Sequence, residues 1–514
     1  MSAASDSPAP GTVHPATGAT LEAVSWHAAG EVPGIVARAR VAQARWADTP
    51  LDRRVERVLA LSRHIAERRH EALRLLDRET GRAAADSLLS EIAILPGYAK
   101  GVVKIARRAL ARETVRLSPL EFPGKKAVIE AVPRGVVAII EPWNYPLLQF
   151  YKPLLPALLS GNAVVLKPSE HSAATGRWLL EQCAAVLPEG VVTGVLGGAE
   201  VGAALLEDDI DAVVFCGSVA TGRKVAARCA ERLIPCSTEL GGKDAAIVLA
   251  DCDLQRTLAG LAYGALHNAG QDCSAIERLY VEETIADTLV ERLAEAAGRL
   301  SVERDLGPLQ NPAQLRVVEM HVADALDKGA RLVTGGKRCG PGYGFEPTIL
   351  DRCTPEMLVV SEETFGPVLA VIRIASGEEG VRLANQSHFG LQGSVWTRNL
   401  ERGERLARRL EVGVALVNNH VFAGVVPGIP WTGTKHTGTG VAASGHAYPT
   451  FVRRRTIIVD KNKNPEPFWF PGDGDLLEMG HALTEFNLGA LGRVFKLLGL
   501  LSRRTRTVRQ FFAR

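Results

Sequence analysis

The sequence predicts an α/β protein with a parallel, doubly wound sheet and a second α/β region after it. Three observations carry this. The runs VVAII (136–140), AVVL (163–166) and AVVF (212–215) are short and β-branched, and each leads into a Pro-rich, polar or Gly-rich turn. Segments with helical spacing separate them, as crossovers between parallel strands require. A length of 514 residues exceeds one ordinary core, so two or three domains are expected.

The elements follow in chain order. The first residues are rich in Ser, Ala and Pro and read as a loose arm. Residues 36–75 place Ala, Leu, Ile and Val at helical spacing among many arginines, which predicts amphipathic helices with one buried stripe. The three strands come next, the last followed by helix-forming residues from Arg223 onward; ligands bind at the carboxyl ends of such strands. Between 244 and about 425, AAIVLAD, ERLYVEE, PVLAVIRI and GVALVNN are further strand candidates. RRRTIIVD (453–460) is a late, isolated strand, expected to pair with something distant or with a neighbouring subunit.

Composition narrows the function classes. The hydrophobic fraction of 46% and charged fraction of 23% are those of a folded globular protein. A net charge of +3 gives no argument for a nucleic-acid partner. The eight cysteines form no C-x-x-C pair and no zinc-like spacing with histidine, so no metal site is expected. The start lacks the basic-then-apolar order of a secretory signal, which favours a reducing, cytoplasmic setting.

Two residues could carry chemistry. Cys273, in NAGQDCSAIER, lies among small and polar residues, and a thiolate is the strongest nucleophile a side chain offers. Taken alone, a single cysteine is more often an inert buried thiol. Glu239, in TELGGKD, precedes a Gly-Gly turn that lets backbone and ligand approach closely. It reads as a general base or, by itself, as a solvated surface acid.

In combination the motifs say more. EPWNYP, LKPSE, GSVATG, ELGGK, GQDC and EETFGPV occur in the order and at about the spacings of the aldehyde dehydrogenase superfamily. From about residue 12 to about residue 460 the chain resembles that family, including the interval of 34 residues between Glu239 and Cys273. The resemblance implies a Rossmann-like NAD-binding domain (1–112 and 135–240) and a catalytic α/β domain (241–450). It also implies a small β oligomerisation region (113–134 and 451–462) in a homodimer or homotetramer.

It further implies NAD-dependent oxidation of an aldehyde, a small-molecule substrate, to a carboxylic acid through a thioester on Cys273. Glu239 would be the base, and Asn144 would hold the oxyanion together with the Cys273 N–H. Asn144 alone reads as a turn former. Lys167 and Glu170 would hold the adenosine ribose, the carboxylate repelling a 2′-phosphate and so favouring NAD over NADP. Gly217, Ser218 and Gly222 resemble a pyrophosphate turn, though G-x-x-x-x-G without G-K-[ST] fits any tight strand-to-helix turn. Glu363 and Phe365 match the residues beside the nicotinamide ribose and ring; their plainer readings are a surface acid and a core aromatic. Trp143, Ser169 and Leu240 complete the implied cofactor set. An inactive scaffold and a CoA-acylating dehydrogenase are the alternatives; the first is disfavoured by Cys273, Glu239 and Asn144 together, the second by Glu239.

The chain departs from the family's usual pattern at PWTGTKHTGTGVAASG (430–445), which leaves the substrate open. Lys152 reads as a substrate-carboxylate binder or, more commonly, a solvated lysine. The segment 463–514 is a basic extension with no acidic residue after Glu485, in which Leu488, Leu491, Phe495 and Leu498 are expected on one helix face. A peripheral membrane contact is one expectation for it, with packing on its own oligomer or disorder as the alternatives.

Overall fold

A computed structural model describes residues 13–118 and 122–513. The arm at residues 1–12 lies outside the described residues. In chain order the first nine strands are β1 (Glu113–Val115), β2 (Lys125–Pro133), β3 (Val136–Glu141), β4 (Ala163–Pro168), β5 (Val192–Gly194), β6 (Ala212–Cys216), β7 (Cys236–Glu239), β8 (Asp244–Val248) and β9 (Ile276–Glu282).

Strands β3 to β7 form one parallel sheet in the order β5-β4-β3-β6-β7. Winding leaves β3 in both directions, so the strand order reverses between β3 and β6 and opens a crevice at their carboxyl ends. The β-branched runs are buried on both faces, as covered parallel strands must be. One face packs on the helices Val32–Asp48 and Val219–Glu231, the other on Leu51–Glu67, Leu95–Ala109, Leu148–Leu159 and Ala173–Val186. The helix after β6 begins at Val219 and not near Arg223. Ser218 starts it early, its hydroxyl accepting the Thr221 N–H at 3.3 Å and satisfying one free donor of the first turn.

The second sheet has seven strands, in the order Arg331–Thr334, Thr348–Asp351, Val368–Ile374, β9, β8, Gln392–Trp396 and Val414–Val417. All neighbours are parallel except the first pair. Each candidate strand between 244 and 425 lies in it. Both sheets belong to one compact unit, Met1–Leu110 with Ala131–Arg453. The other unit, Ala111–Glu130 with Arg454–Arg514, contains the C-terminal helices. The late strand Val452–Asp460 joins β1 and β2 in a three-stranded sheet, so its partner is distant in sequence. Among the described residues no helix is long and apolar enough to cross a membrane.

Candidate active site

The crevice gathers residues from four strand ends and one turn. Glu141, Trp143 and Asn144 leave β3; Lys167, Ser169 and Glu170 end β4; Cys216, Gly217 and Ser218 end β6; Glu239 and Leu240 end β7. Cys273 arrives from the turn before β9.

That turn is tightly held. Asn268, Ala269 and Gly270 are all left-handed, with φ of 49°, 53° and 68°. A Cβ at Gly270 would lie 2.1 Å from the carbonyl oxygen of Gly366, so only glycine fits. The Gln271 side chain donates to the carbonyls of Asn268 and Pro308 at 3.1 and 3.0 Å and accepts the Gln310 N–H at 2.8 Å. Asp272 accepts the Ser274 N–H and hydroxyl at 2.8 Å each and the Tyr145 hydroxyl at 3.0 Å, and meets His267 at 3.1 Å. Burial opposes charge on both Asp272 and His267, yet their contact outweighs it: the carboxyl is held below its ordinary range and the imidazole is raised. These contacts fix the backbone on both sides of Cys273.

Cys273 is half-buried and lines two cavities. The inner one, a narrow space, is shared with Glu239, Glu141, Cys216 and Lys152. Burial first, then Asp272 and Cys216, push the Cys273 thiol well above its ordinary value, while Lys152 opposes the shift. Glu239 is 9% exposed, and its Oε1 has no hydrogen-bond partner among the described residues. Burial raises its carboxyl to about 8, against Lys152 and the Ala442 N–H, which lower it. Glu141 is also pushed well above the usual range by burial and by Glu239. Carboxyls raised in this way accept protons near neutral pH.

Asn144 is buried; its Nδ2 donates to the Gln271 carbonyl at 3.1 Å, which leaves a second N–H for another acceptor. Arg82 and Asn268 donate to its backbone carbonyl at 3.1 Å each, fixing the loop after β3 to the Cys273 turn.

The Gly-Gly pair has a definite reason. A Cβ on Gly242 would sit 2.0 Å from the Cys273 carbonyl oxygen, so the loop after Glu239 touches the peptide of Cys273. The Gly242 N–H donates to Glu363 at 2.8 Å. Glu363 is raised to about 8 by burial and then by Glu277. Glu277 itself accepts the amides of Thr364 and Phe365 at 2.8 Å each and pairs with buried Lys243, tying the ELGGK and EETFGPV loops together.

The residues of the implied cofactor set fall into two groups. Around β4 and β6, Lys167 is buried with its ammonium 3.0 Å from the Pro168 carbonyl, beside Ser169 and exposed Glu170. Burial lowers Lys167, while Glu170 and Glu200 oppose the shift. Gly217 and Ser218 open the helix Val219–Glu231, and a Cβ on Gly222 would come within 2.3 Å of Leu240, so the first turn lies close against that side chain. Around β7, Trp143 meets Phe365 edge-on at 5.5 Å, with Glu363 nearby in sequence. Free helix amides, a carboxylate, and apolar side chains suit phosphate, ribose and rings, so this donor set fits a dinucleotide.

The outer cavity opens to solvent. Leu89, Ile94, Tyr145, Leu148, Tyr263, Phe422 and Trp431 line it, together with Lys152 and the polar groups beside Cys273. Leu89, Tyr263 and Phe422 are 67%, 59% and 46% exposed.

Lys152 is not a solvated lysine. It is 7% exposed, with its ammonium 5.6 Å from the centre of the Trp431 ring, because the helix Leu148–Leu159 is apolar on every side and buried throughout. Sequence reasoning passed over Glu141, although a carboxylate at the end of a fully buried strand is a signal in itself. It also left aside His267, Asp272 and Glu277, whose roles depend on distant partners. The altered segment 430–445 proves to lie against the base: Gly440 N–H donates to the Thr238 carbonyl and Leu240 N–H to the Thr437 carbonyl, each at 2.8 Å.

The model of the Aldehyde dehydrogenase family matches residues 3–457. The chain belongs to the aldehyde dehydrogenase family. The enzyme is thus an oxidoreductase that oxidises aldehydes, and the α/β fold expected from the sequence is borne out. It is 36% identical over 458 residues to a 4,4'-diapolycopene aldehyde oxidase of Methylomonas sp, covering 88% of this chain and 86% of that protein. A Mycobacterium tuberculosis (strain ATCC 25618 / H37Rv) relative with the provisional name succinate-semialdehyde dehydrogenase [NADP(+)] 2 is 34% identical over 469 residues, 88% of each chain. A Mycobacterium tuberculosis aldehyde dehydrogenase solved with NAD+ has TM-score 0.84 and 33% identity, covering 90% of this chain and 97% of that one. An NAD+ complex from Bacillus cereus has TM-score 0.83 and 30% identity, covering 88% and 93%.

Proposed function

We propose that the enzyme converts aldehydes to carboxylic acids by covalent catalysis on Cys273, with Glu239 as general base and Asn144 in the oxyanion site, and with NAD preferred over NADP. The observation that carries this reading is the pair of cavities meeting at one thiol: the base lies in the inner one, and the outer one leads substrate in. The buried thiol holds its proton until Glu239 takes it, and Sγ then bonds to the carbonyl carbon while the C=O electron pair moves onto oxygen. The free N–H of Asn144 Nδ2 and the Cys273 N–H receive that charge, each donor contributing roughly 3 kcal/mol. The chemistry a dinucleotide supplies when bound is hydride acceptance. Cys273 then carries the acyl group as a thioester. Glu239 releases the thiol's proton to solvent, then draws a proton from water as its oxygen attacks the thioester carbon; the C–S bond breaks with its electron pair on sulfur, and the acid leaves. Glu239 supports this hydrolytic course over transfer to CoA.

Lys167, Ser169 and Glu170 would hold the adenosine ribose and Gly217, Ser218 and Gly222 the pyrophosphate. Trp143, Leu240, Glu363 and Phe365 would hold the nicotinamide half. In this reading residues 1–112 and 135–240 bind the dinucleotide, 241–450 carry the chemistry, and 113–134 with 451–462 join subunits in a dimer or tetramer. Exposed Glu170 supports the NAD preference, since its charge would face a 2′-phosphate. Glu170→Ser is expected to narrow the NAD-over-NADP ratio in kcat/KM by about tenfold, ~1.4 kcal/mol. Equal use of both cofactors by the unaltered enzyme would refute the preference.

The apolar lining and rim of the outer cavity support extended apolar aldehydes over small polar ones. The Methylomonas relative is named for 4,4'-diapolycopene aldehyde. In a series of straight-chain aldehydes, kcat/KM is expected to rise with length, by roughly fourfold per buried methylene at ~0.8 kcal/mol each, until the cavity is filled. A maximum at succinic semialdehyde would instead make Lys152 the recogniser of a substrate carboxylate.

A further inference from the structure

The C-terminal extension folds as a helical hairpin. Helices Gly474–Asn487 and Val494–Phe512 enclose a small core of Met479, Ala482, Leu497 and Leu500. Buried Arg504 clamps its base, pairing with Asp473 at 2.6 Å and donating to the carbonyls of Pro467, Trp469 and Pro471 at 3.0, 2.7 and 2.8 Å. The expectation of one continuous face through Leu488, Leu491, Phe495 and Leu498 fails, because Gly489 turns the chain with φ of 97° between the helices.

The turn produces an apolar tip. Leu488, Leu491 and Phe495 are 83%, 72% and 81% exposed, on a scaffold that holds them in place. Among the described residues, nearly half of the exposed large apolar side chains lie within 468–512, under a tenth of the chain. Cations surround the tip. Arg493 and Lys496 pair with Glu485 and Glu478 but stay 51% and 43% exposed, and no acidic residue follows Glu485. On the second helix Phe495, Leu498, Arg506 and Arg509 share a face by the 3.6-residue period, apolar at the tip and basic beyond it.

We propose that this hairpin docks the enzyme on an anionic lipid bilayer, with Leu488, Leu491 and Phe495 entering the acyl boundary and Arg493, Lys496, Arg506 and Arg509 meeting the headgroups. Apolar burial and charge attraction then act together. A second copy is the poorer occupant, since a two-fold contact through this face would set basic residues against basic residues. The docking stands independently of the catalytic roles assigned above.

Flotation of the full-length enzyme with phosphatidylcholine vesicles, with and without phosphatidylglycerol, tests it. The enzyme is expected to float with the anionic vesicles at low salt and to be released at high salt. Leu491→Ser with Phe495→Ser should weaken binding at least about tenfold, and Arg506→Glu with Arg509→Glu should remove its salt dependence. Subunit number by light scattering, and oxidation of a short water-soluble aldehyde, should stay unchanged in both variants. Failure to float at low salt, or undiminished binding by the variants, overturns the proposal. A fall in subunit number for the Leu491 and Phe495 variant without vesicles would assign the face to a second copy.

Discussion

Cys273→Ala is expected to reduce aldehyde-dependent NADH formation by on the order of 10⁴-fold or more while leaving NAD affinity within about twofold of the parent. Cys273 lines both cavities, with Gln149, Lys152 and Trp431, and its thiol is the group proposed to form the covalent bond, whereas the proposed ribose and pyrophosphate contacts come from other strand ends. Initial rates with calorimetric NAD titration check both halves. Residual turnover near the parent rate would remove Cys273 as nucleophile. Cys216 is the natural suspect in that case, since it lines the inner cavity too, although burial also pushes its thiol well above the ordinary value.

Glu239→Gln is expected to slow steady-state turnover by roughly 10²–10³-fold. A single burst of NADH should remain wherever the thiol can still lose its proton, since acylation outpaces the crippled deacylation. Loss of the burst as well would assign Glu239 to thiol activation. The pH profile gives a second check. The Glu239 carboxyl is raised to about 8 and in its proposed role would act only when ionised, so the parent kcat should climb with pH through about 8 and then level. In the glutamine variant that limb should disappear. A parent profile flat from pH 6 to 9 would contradict the assignment of a buried, raised base.

Much of the fold was legible because parallel strands covered on both faces leave uninterrupted β-branched runs, as at Val136, Val137, Ala138 and Ile139. The site was legible where a residue's job is local: glycine at 242 and 270 is demanded by carbonyl oxygens a Cβ would strike. Elsewhere the controlling partner is remote. Nothing near Lys152 in sequence announces that Trp431 will cover it, so ordinary lysine solvation was the natural expectation. The Lys243–Glu277 pair spans 34 residues and orders a loop at 364–365 that neither residue adjoins in sequence. Such roles emerge only when the chain is folded. Leu488 and Leu491 show the local converse, where a glycine turn broke a helical periodicity that composition alone suggested.

The glycine-rich strip 437–443 has a consequence for how the protein comes into being. A Cβ at Gly440 would lie 2.7 Å from Glu239 Oε1, so the wall that desolvates the base is built from residues some two hundred positions downstream. During synthesis the chain therefore holds Glu239 and Cys273 long before that wall exists. An emerging fragment that ends before Thr437 would carry a carboxylate lacking that wall and closer to its ordinary range.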